Sequence, residues 1–353
     1  MSTVIVAGGA GYIGSHTIRE LQKGGFEIVV LDNLVYGHRK IVEDVLGVPL
    51  VIGNVGDKKL LEKLLSGDHP STRGKDIKGI MHFAAYAYVG ESVIDPAKYY
   101  KNNLAETIML LDALLDYSKK RNSKPIPIVF SSTCATYGLP LEAEIPIPEK
   151  TLQNPINPYG RSKLMIEKIL IDYHKAYKLP VSILRYFNAA GADIKGDIGE
   201  DHNPETHLIP LVLEALFHKD GFIKVNGIDY PTFDGTCIRD YVHVSDLAKA
   251  HVLALNKIIN DRSLSIYNLG NGKGYSIMEV IDTAKKVTGK EIKILKSKRR
   301  QGDPPVLISL PEKAKRELLW KPEFPDLECI IRTAWNWYLF KEQHKSNNKI
   351  NGL

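Results

Sequence analysis

Thr3-Val4-Ile5-Val6-Ala7-Gly8-Gly9-Ala10-Gly11-Tyr12-Ile13-Gly14 joins a short β-branched run to a glycine turn. The run reads as a buried strand. Apolar or methyl-bearing side chains at Ile13, Thr17, Ile18 and Leu21 predict a helix that ends at Gly24-Gly25. Strand, glycine turn and helix together are the context of a dinucleotide site. The glycines permit the tight turn, the approach of a pyrophosphate and close packing of helix on strand. The helix N-terminus offers free N–H groups to phosphate. A second strand, 27–31, ends at Asp32-Asn33. A carboxylate there accepts hydrogen bonds from an adenosine ribose and repels a 2′-phosphate, which favours NAD over NADP.

The same rhythm continues outward from that stretch. Further strands are expected at 50–53, 79–83, 126–131 and 181–187, with helices over 58–65, 95–117 and 159–177. The alternation predicts an α/β fold: a doubly wound, parallel-sheet Rossmann domain with ligands at the carboxyl ends of its strands. After about residue 188, Gly-, Asp- and Pro-rich loops separate shorter elements. Residues 1–188 are therefore expected to form the NAD-binding domain, with a returning segment near 235–256. Residues 189–340 form mostly a smaller, interleaved C-terminal α/β substrate lobe. The polar tail 341–353 is expected to fray.

Bulk properties narrow the class. Of 353 residues, 44% are hydrophobic and 25% charged, as in soluble globular proteins. The net charge of +6 comes from scattered lysines, so nucleic-acid binding is not implied. The cluster Lys296-Ser297-Lys298-Arg299-Arg300 can instead hold an anionic substrate. Cys134, Cys237 and Cys329 show neither metal-type spacing nor a disulfide framework, which points to a reducing, cytoplasmic setting and no metal. No signal peptide is expected ahead of the first strand, and no apolar run approaches the roughly 20 residues of a membrane span.

The chemistry is carried by Tyr159-Gly160-Arg161-Ser162-Lys163. Tyr159 and Lys163 stand one helical turn apart on one face. A free tyrosine has a pKa of about 10, and a nearby cation favours the phenolate. Ser131-Ser132-Thr133 closes a strand, which puts its hydroxyls at the carboxyl edge of the sheet. Oxidation of a carbinol needs a base for the O–H proton. Tyr159 can serve as that base, Lys163 can lower its pKa and hold the nicotinamide ribose, and Thr133 can orient the substrate oxygen.

These residues, with His82-Phe83-Ala84, Val89-Gly90-Glu91-Ser92, Asn157-Pro158, Leu184-Arg185-Tyr186-Phe187-Asn188 and Asp234-Gly235-Thr236-x-x-Arg239-Asp240-Tyr241, resemble the extended short-chain dehydrogenase/reductase family. Within it the chain resembles the UDP-glucose/UDP-galactose 4-epimerases, from about residue 3 to 340. The resemblance implies a UDP-sugar substrate, NAD, a homodimer, and inversion at C4 through a 4-keto sugar that turns over before reduction. It implies Tyr159 as acid/base, Lys163 as its electrostatic partner and Thr133 as the hydroxyl near O4. It assigns Gly8, Gly11, Tyr12, Ile13, Asp32, Asn33, Asn54, Val55, Phe83, Ala84, Asn102, Ser131, Tyr159, Lys163 and Tyr186 to the cofactor. It assigns Thr133, Phe187, Asn188, His207, Leu208, Val225, Arg239, Arg300 and Asp303 to the substrate. Arg239 and Arg300 suit diphosphate oxygens, since guanidinium pairs well with phosphate.

Several positions depart from the family pattern. Thr133 stands where many members have Ser, Asn54 replaces an Asp near the adenine, and Ala87 replaces a Lys. His207-Leu208-Ile209-Pro210 replaces an Asn-Leu-Met-Pro form; the imidazole can still donate to a diphosphate or sugar oxygen, or serve packing or face solvent. Leu307, where members gate the 2-N-acetyl group, is of intermediate size. UDP-xylose/UDP-arabinose and UDP-GlcNAc/UDP-GalNAc epimerisation therefore stay open beside the hexose reaction. A 4,6-dehydratase is disfavoured, because Cys134-Ala135 rather than an acidic pair follow Thr133.

Overall fold

Seven mostly buried segments, most of them rich in Val and Ile, pair in parallel to make the main sheet. The strands in chain order are β1 (Ser2–Ala7), β2 (Glu27–Asp32), β3 (Leu50–Ile52), β4 (Asp76–His82), β5 (Ile128–Thr133), β6 (Val181–Tyr186), β7 (Asn188–Ala190), β8 (Phe222–Asn226), β9 (Ile238–His243), β10 (Leu264–Leu269), β11 (Gly274–Ser276), β12 (Lys293–Ser297) and β13 (Val306–Leu307). The computed structural model describes residues 2–300 and 302–350.

The main sheet has the order β10-β6-β5-β4-β1-β2-β3. The chain winds one way from β1 through β3, then crosses to β4 and winds the other way. The topological switch between β1 and β4 opens a crevice at the carboxyl ends, where such sheets bind ligands. Each face of the sheet carries its own core. One holds Val4, Val6, Ile18, Val30, Leu247 and Leu255. The other holds Ile5, Val29, Leu64, Leu111, Phe130 and Leu170. Alternate residues of β1 and β2 feed opposite cores, which is the period of a doubly covered strand. A third core, with Val212, Leu213, Val225, Val280 and Ile330, fills the smaller lobe.

Four expectations shift. The returning segment was expected near 235–256. Its strand β9 instead pairs with β7, β11 and β13 in a second sheet. Only the helix Val244–Asp261 that follows packs on the main sheet, and β10 then completes it beside β6. β5 runs past Ser131, because Ser132 and Thr133 stay in register with Arg185 and Tyr186 of β6. The single helix expected over 95–117 is a short helix, Pro96–Tyr99, a π-turn, Tyr100–Ala105, and a helix, Glu106–Lys120. The tail does not fray from Lys341: the helix Leu327–Ile350 carries through it, and no Gly or Pro interrupts 341–350. Residues 351–353 lie outside the described part.

Candidate functional site

One cleft runs along the carboxyl ends of the sheet, from the glycine turn to β13. Its floor is the turn after β1. Gly8 sits at φ +81°, and a Cβ there would meet the Ala84 nitrogen at 2.4 Å. A Cβ on Gly14 would meet the Gly8 carbonyl oxygen at 2.3 Å, so the helix Tyr12–Lys23 approaches its strand only as glycine allows. Gly11 caps this helix without a side-chain hydrogen bond, which leaves first-turn N–H groups facing the cleft. Asp32 ends β2 and is buried. Its carboxylate accepts from Ala10 N at 3.0 Å and Leu34 N at 2.8 Å. Burial raises its pKa, and those two bonds oppose the rise. The donor set fits a dinucleotide: a glycine cradle, uncapped N–H groups and a strand-end carboxylate.

The reactive centre lies deeper. Asn157 caps the helix Pro158–Tyr177 by accepting from Gly160 N at 2.8 Å, with Pro158 in the first turn. This start places Tyr159 against β5. Burial pushes the Tyr159 phenol far above the usual range, Tyr186 adds to the rise, and the Thr133 hydroxyl opposes it through a hydrogen bond. Ser131 Oγ and Tyr186 OH hydrogen-bond at 2.8 Å across the adjacent strands. Lys163 lies one turn further along, buried, with Nζ donating to the Ser131 carbonyl at 2.8 Å and sitting 4.8 Å from the Phe130 ring centroid. Burial lowers its pKa to about 7, against a rise from Glu167. The lowering expected from Lys163 is outweighed by burial, so the net shift of the phenol is upward. The physical reason is dehydration of both groups, with the ammonium turned to a strand carbonyl.

A buried ion pair anchors this helix. Arg185 Nη2 on β6 lies 2.6 Å from Glu167 Oε2 on the helix, with side-chain exposures of 4% and 1%. Ser132 and Gln153 also donate to Glu167, and Tyr137 OH lies 2.9 Å from Arg185 Nη1. On the opposite side the π-turn presents Asn102 to the cleft. Asn103 clamps Tyr86 through its backbone N–H and carbonyl at 2.8 and 3.0 Å and accepts no solvent role, since Nδ2 also reaches Ser162 Oγ at 3.2 Å.

The far wall belongs to the second lobe. Arg239 on β9 pairs with Asp303 across the cleft edge. Asp240, its neighbour, turns away and is held by Ser309 and by Asn271 N and Gly272 N at 2.8 and 3.0 Å. Leu307 packs with Phe187, Ile147 and Tyr137 and lines the cleft.

Of the expected residues, Gly8, Gly11, Tyr12, Ile13, Asp32, Asn33, Val55, Phe83, Ala84, Asn102, Ser131, Thr133, Tyr159, Tyr186, Phe187, Asn188, His207, Arg239 and Asp303 line this one cleft. Five stand elsewhere. Lys163 is one layer behind it. Asn54 is exposed and accepts from Asn33 Nδ2 at 2.9 Å. Leu208 packs against the core of the lobe, and Val225 belongs to that core, so only its backbone is free to meet a ligand. Arg300 lies on a neighbouring groove beside Asn226 and Phe222 rather than with Arg239. The strand period of β8 turns Val225 inward, and the loop after β12 turns Arg300 outward.

Sequence reasoning passed over Glu200 and His202, which also line the cleft. With Glu205 and His207 they form a cluster whose ligand-type atoms all lie within 4.8 Å of one another. Burial opposes the charge on both imidazoles, yet Glu200 and Glu205 raise the pKa of His202 and His207 overall. The spacing Glu200-x-His202-x-x-Glu205-x-His207 is visible in the sequence, but only the turn of the loop brings the four side chains together.

The pattern of the NAD dependent epimerase/dehydratase family matches residues 4–270. The chain belongs to this family. The UDP-glucose 4-epimerase of Lacticaseibacillus casei is 46% identical over 336 residues, 95% of this chain and 96% of that protein. The crystal structure of UDP-glucose 4-epimerase from Brucella ovis in complex with NAD is 45% identical, with a TM-score of 0.86 over 95% of this chain and 98% of that one. The Bifidobacterium longum enzyme, crystallised with NAD+ and UDP, is 38% identical, with a TM-score of 0.85 over 96% and 98% of the two chains. Among the described residues no helix is long and apolar enough to cross a membrane.

Proposed function

We infer that this chain is an NAD-dependent epimerase that interconverts UDP-glucose and UDP-galactose by inverting C4. The observation that carries this reading is a single cleft joining the glycine cradle, the Thr133–Tyr159 pair and the Arg239 wall. Bound cofactor supplies the reversible redox chemistry at C4. The chain does the rest. Gly8, the amides after Gly11 and Asp32 hold the dinucleotide. Thr133 orients O4, and the Tyr159 phenol exchanges the O4 proton, taking it on oxidation and returning it on reduction. Oxidation at C4 needs the phenolate as base, so the Tyr159 proton is lost to solvent before that step, and burial opposes the loss; the phenol formed by taking the O4 proton then returns it on reduction. Lys163, held by Ser131, supplies the positive charge that lowers the cost of that phenolate. Arg239 faces the diphosphate, with Asp303 fixing its guanidinium.

The same reading extends to assembly and setting. The chain acts as a homodimer in the cytoplasm. Cys134, Cys237 and Cys329 are free thiols, in keeping with a reducing compartment. The deciding experiment incubates purified, NAD-loaded protein with UDP-galactose without added reductant. UDP-glucose should accumulate to an equilibrium mixture. An untouched UDP-galactose pool overturns the reading, and faster turnover of UDP-xylose on the same panel moves it to pentoses.

A further inference from the structure

The loop 199–207, between β7 and the helix Leu208–Phe217, carries two imidazoles and three carboxylates; Asp201 pairs with Lys341 at 3.0 Å, and Glu200, His202, Glu205 and His207 cluster together. His207 Nδ1 lies 2.8 Å from both Glu200 Oε1 and Glu205 Oε1. His202 Nδ1 lies 3.1 Å from Glu200 Oε1 and 3.8 Å from Glu205 Oε2. His202 Nδ1 is nevertheless a buried nitrogen with no well-aligned hydrogen-bond partner among the described residues. His207 Nδ1 hydrogen-bonds Glu205 Oε1 at 2.8 Å, and the ligand-type atoms of all four residues lie within 4.8 Å of one another.

That geometry has a chemical reading. Two imidazole nitrogens and two carboxylate oxygens make a four-donor set of the kind that zinc takes, with metal–ligand distances of about 2.0–2.2 Å. Calcium and magnesium prefer all-oxygen shells, so the imidazoles select a transition metal. The Glu205 carboxylate is already oriented: its Oε1 accepts from Thr206 N at 2.7 Å and His207 N at 2.8 Å. The Glu200 carbonyl accepts from Trp337 Nε1 at 2.9 Å, which ties the loop to the helix Leu327–Ile350. Such outer contacts hold ligands in place before a metal arrives. All four donors come from protein, which is the pattern of a closed, structural site.

We propose that Glu200, His202, Glu205 and His207 bind a zinc-type divalent cation that fixes the loop 199–207 as one wall of the cleft. The ion stands beside the ring of Tyr12, whose centroid lies 6.3 Å from that of His202, and so braces the glycine turn and the second lobe against each other. Tyr12 OH donates to Gly191 O at 2.6 Å in the same seam. The proposal does not depend on the assignment of the epimerase reaction, because metal content is read without turnover.

The test uses full-length, NAD-loaded protein without a polyhistidine tag. It is dialysed into metal-free buffer, incubated with zinc chloride, dialysed again, and analysed for zinc by plasma mass spectrometry. One zinc per chain is expected. The double variant H202A/E205A should retain at least about tenfold less, with far-ultraviolet circular dichroism and NAD content reporting that it folds. X-ray absorption at the zinc edge of the wild-type protein should show only N/O neighbours at about 2.0–2.2 Å, with imidazole scattering. That measurement decides the matter if the variant does not fold. Sub-stoichiometric zinc in the wild type, equal zinc in a folded double variant, or sulfur in the zinc shell overturns the proposal and leaves the four residues as an ion-pair network.

Discussion

In the proposed reaction Tyr159 carries the O4 proton, so the first expectation concerns its oxygen. Tyr159→Phe removes the proton carrier and keeps the ring that packs in the cleft. Turnover of UDP-galactose should fall by about 10²–10⁴-fold, while NAD, proposed to rest on the glycine turn and Asp32, should stay with the protein; cofactor absorbance after gel filtration checks this. Lys163 gives a pH signature. Its pKa is lowered to about 7 in the folded protein, against 10.5 for an exposed lysine. Between those values the unfolded chain binds the extra proton, so stability rises with pH across that window and the penalty is full below about 7. Cofactor-stripped wild type should therefore gain about 1 kcal/mol per pH unit relative to Lys163→Met between pH 7 and pH 10, measured by urea unfolding; parallel pH profiles would remove the buried-lysine account. Leu307 addresses specificity. It stands at the cleft wall against Phe187, and Leu307→Ala frees space there. The kcat/KM for UDP-GlcNAc relative to UDP-glucose should rise about tenfold, the scale of a few methylenes in an apolar pocket. The order of Tyr159, Lys163 and Thr133 was legible in the sequence because a helix repeat and a strand end place them. The sign of the phenol shift was not, because burial depends on the whole surrounding cleft.

At the level of elements, the helix Pro158–Tyr177 is positioned by its cap and by the Glu167–Arg185 pair. Arg185→Met leaves a carboxylate buried without its guanidinium. Removing one partner of a buried pair costs about 3–5 kcal/mol, so the variant should unfold at clearly lower urea concentration. Glu167→Gln combined with Arg185→Met should recover part of that loss, because no uncompensated charge then stays buried; a double variant no more stable than Arg185→Met would place the effect in packing. Elements with strong periodicity were readable: β1, β2 and the first helix follow directly from a β-branched run, a glycine turn and a spaced apolar face. β9 was not placed correctly, since a strand's own pattern does not say which sheet accepts it. The π-turn Tyr100–Ala105 was missed for a related reason: its extra residue per turn leaves the helical pattern nearly intact, yet it rotates Asn102 and Asn103 toward the cleft and toward Tyr86. Val225 and Arg300 were assigned to the substrate by family pattern, and the inward face of β8 and the outward loop after β12 separate them from Arg239.

On the scale of the whole molecule, the helices Glu106–Lys120 and Pro158–Tyr177 lie side by side on one face of the sheet, joined by Tyr173 OH donating to Asp112 Oδ1 at 2.9 Å. Most apolar residues of both helices point into the core, but Met109 is 46% exposed and Met165 41%. Tyr177 adds a third exposed apolar side chain near the end of the second helix. A two-fold axis beside this pair would set each helix against its copy and bury the methionines in a four-helix seam, with the same patch used by both subunits. A stable contact of this kind buries about 1,200–2,000 Å² in total, which two helices of 15 and 20 residues can supply with their flanking turns. The double variant Met109→Glu/Met165→Glu would place four carboxylates at the seam of one dimer. Light scattering should give the dimer mass for the wild type and the monomer mass for the variant at micromolar concentration. Because Tyr159 rides on one of these helices, the monomer should also lose part of its turnover while its circular dichroism stays unchanged. A wild type that elutes as a monomer, or a variant that remains dimeric, would move the interface away from these helices.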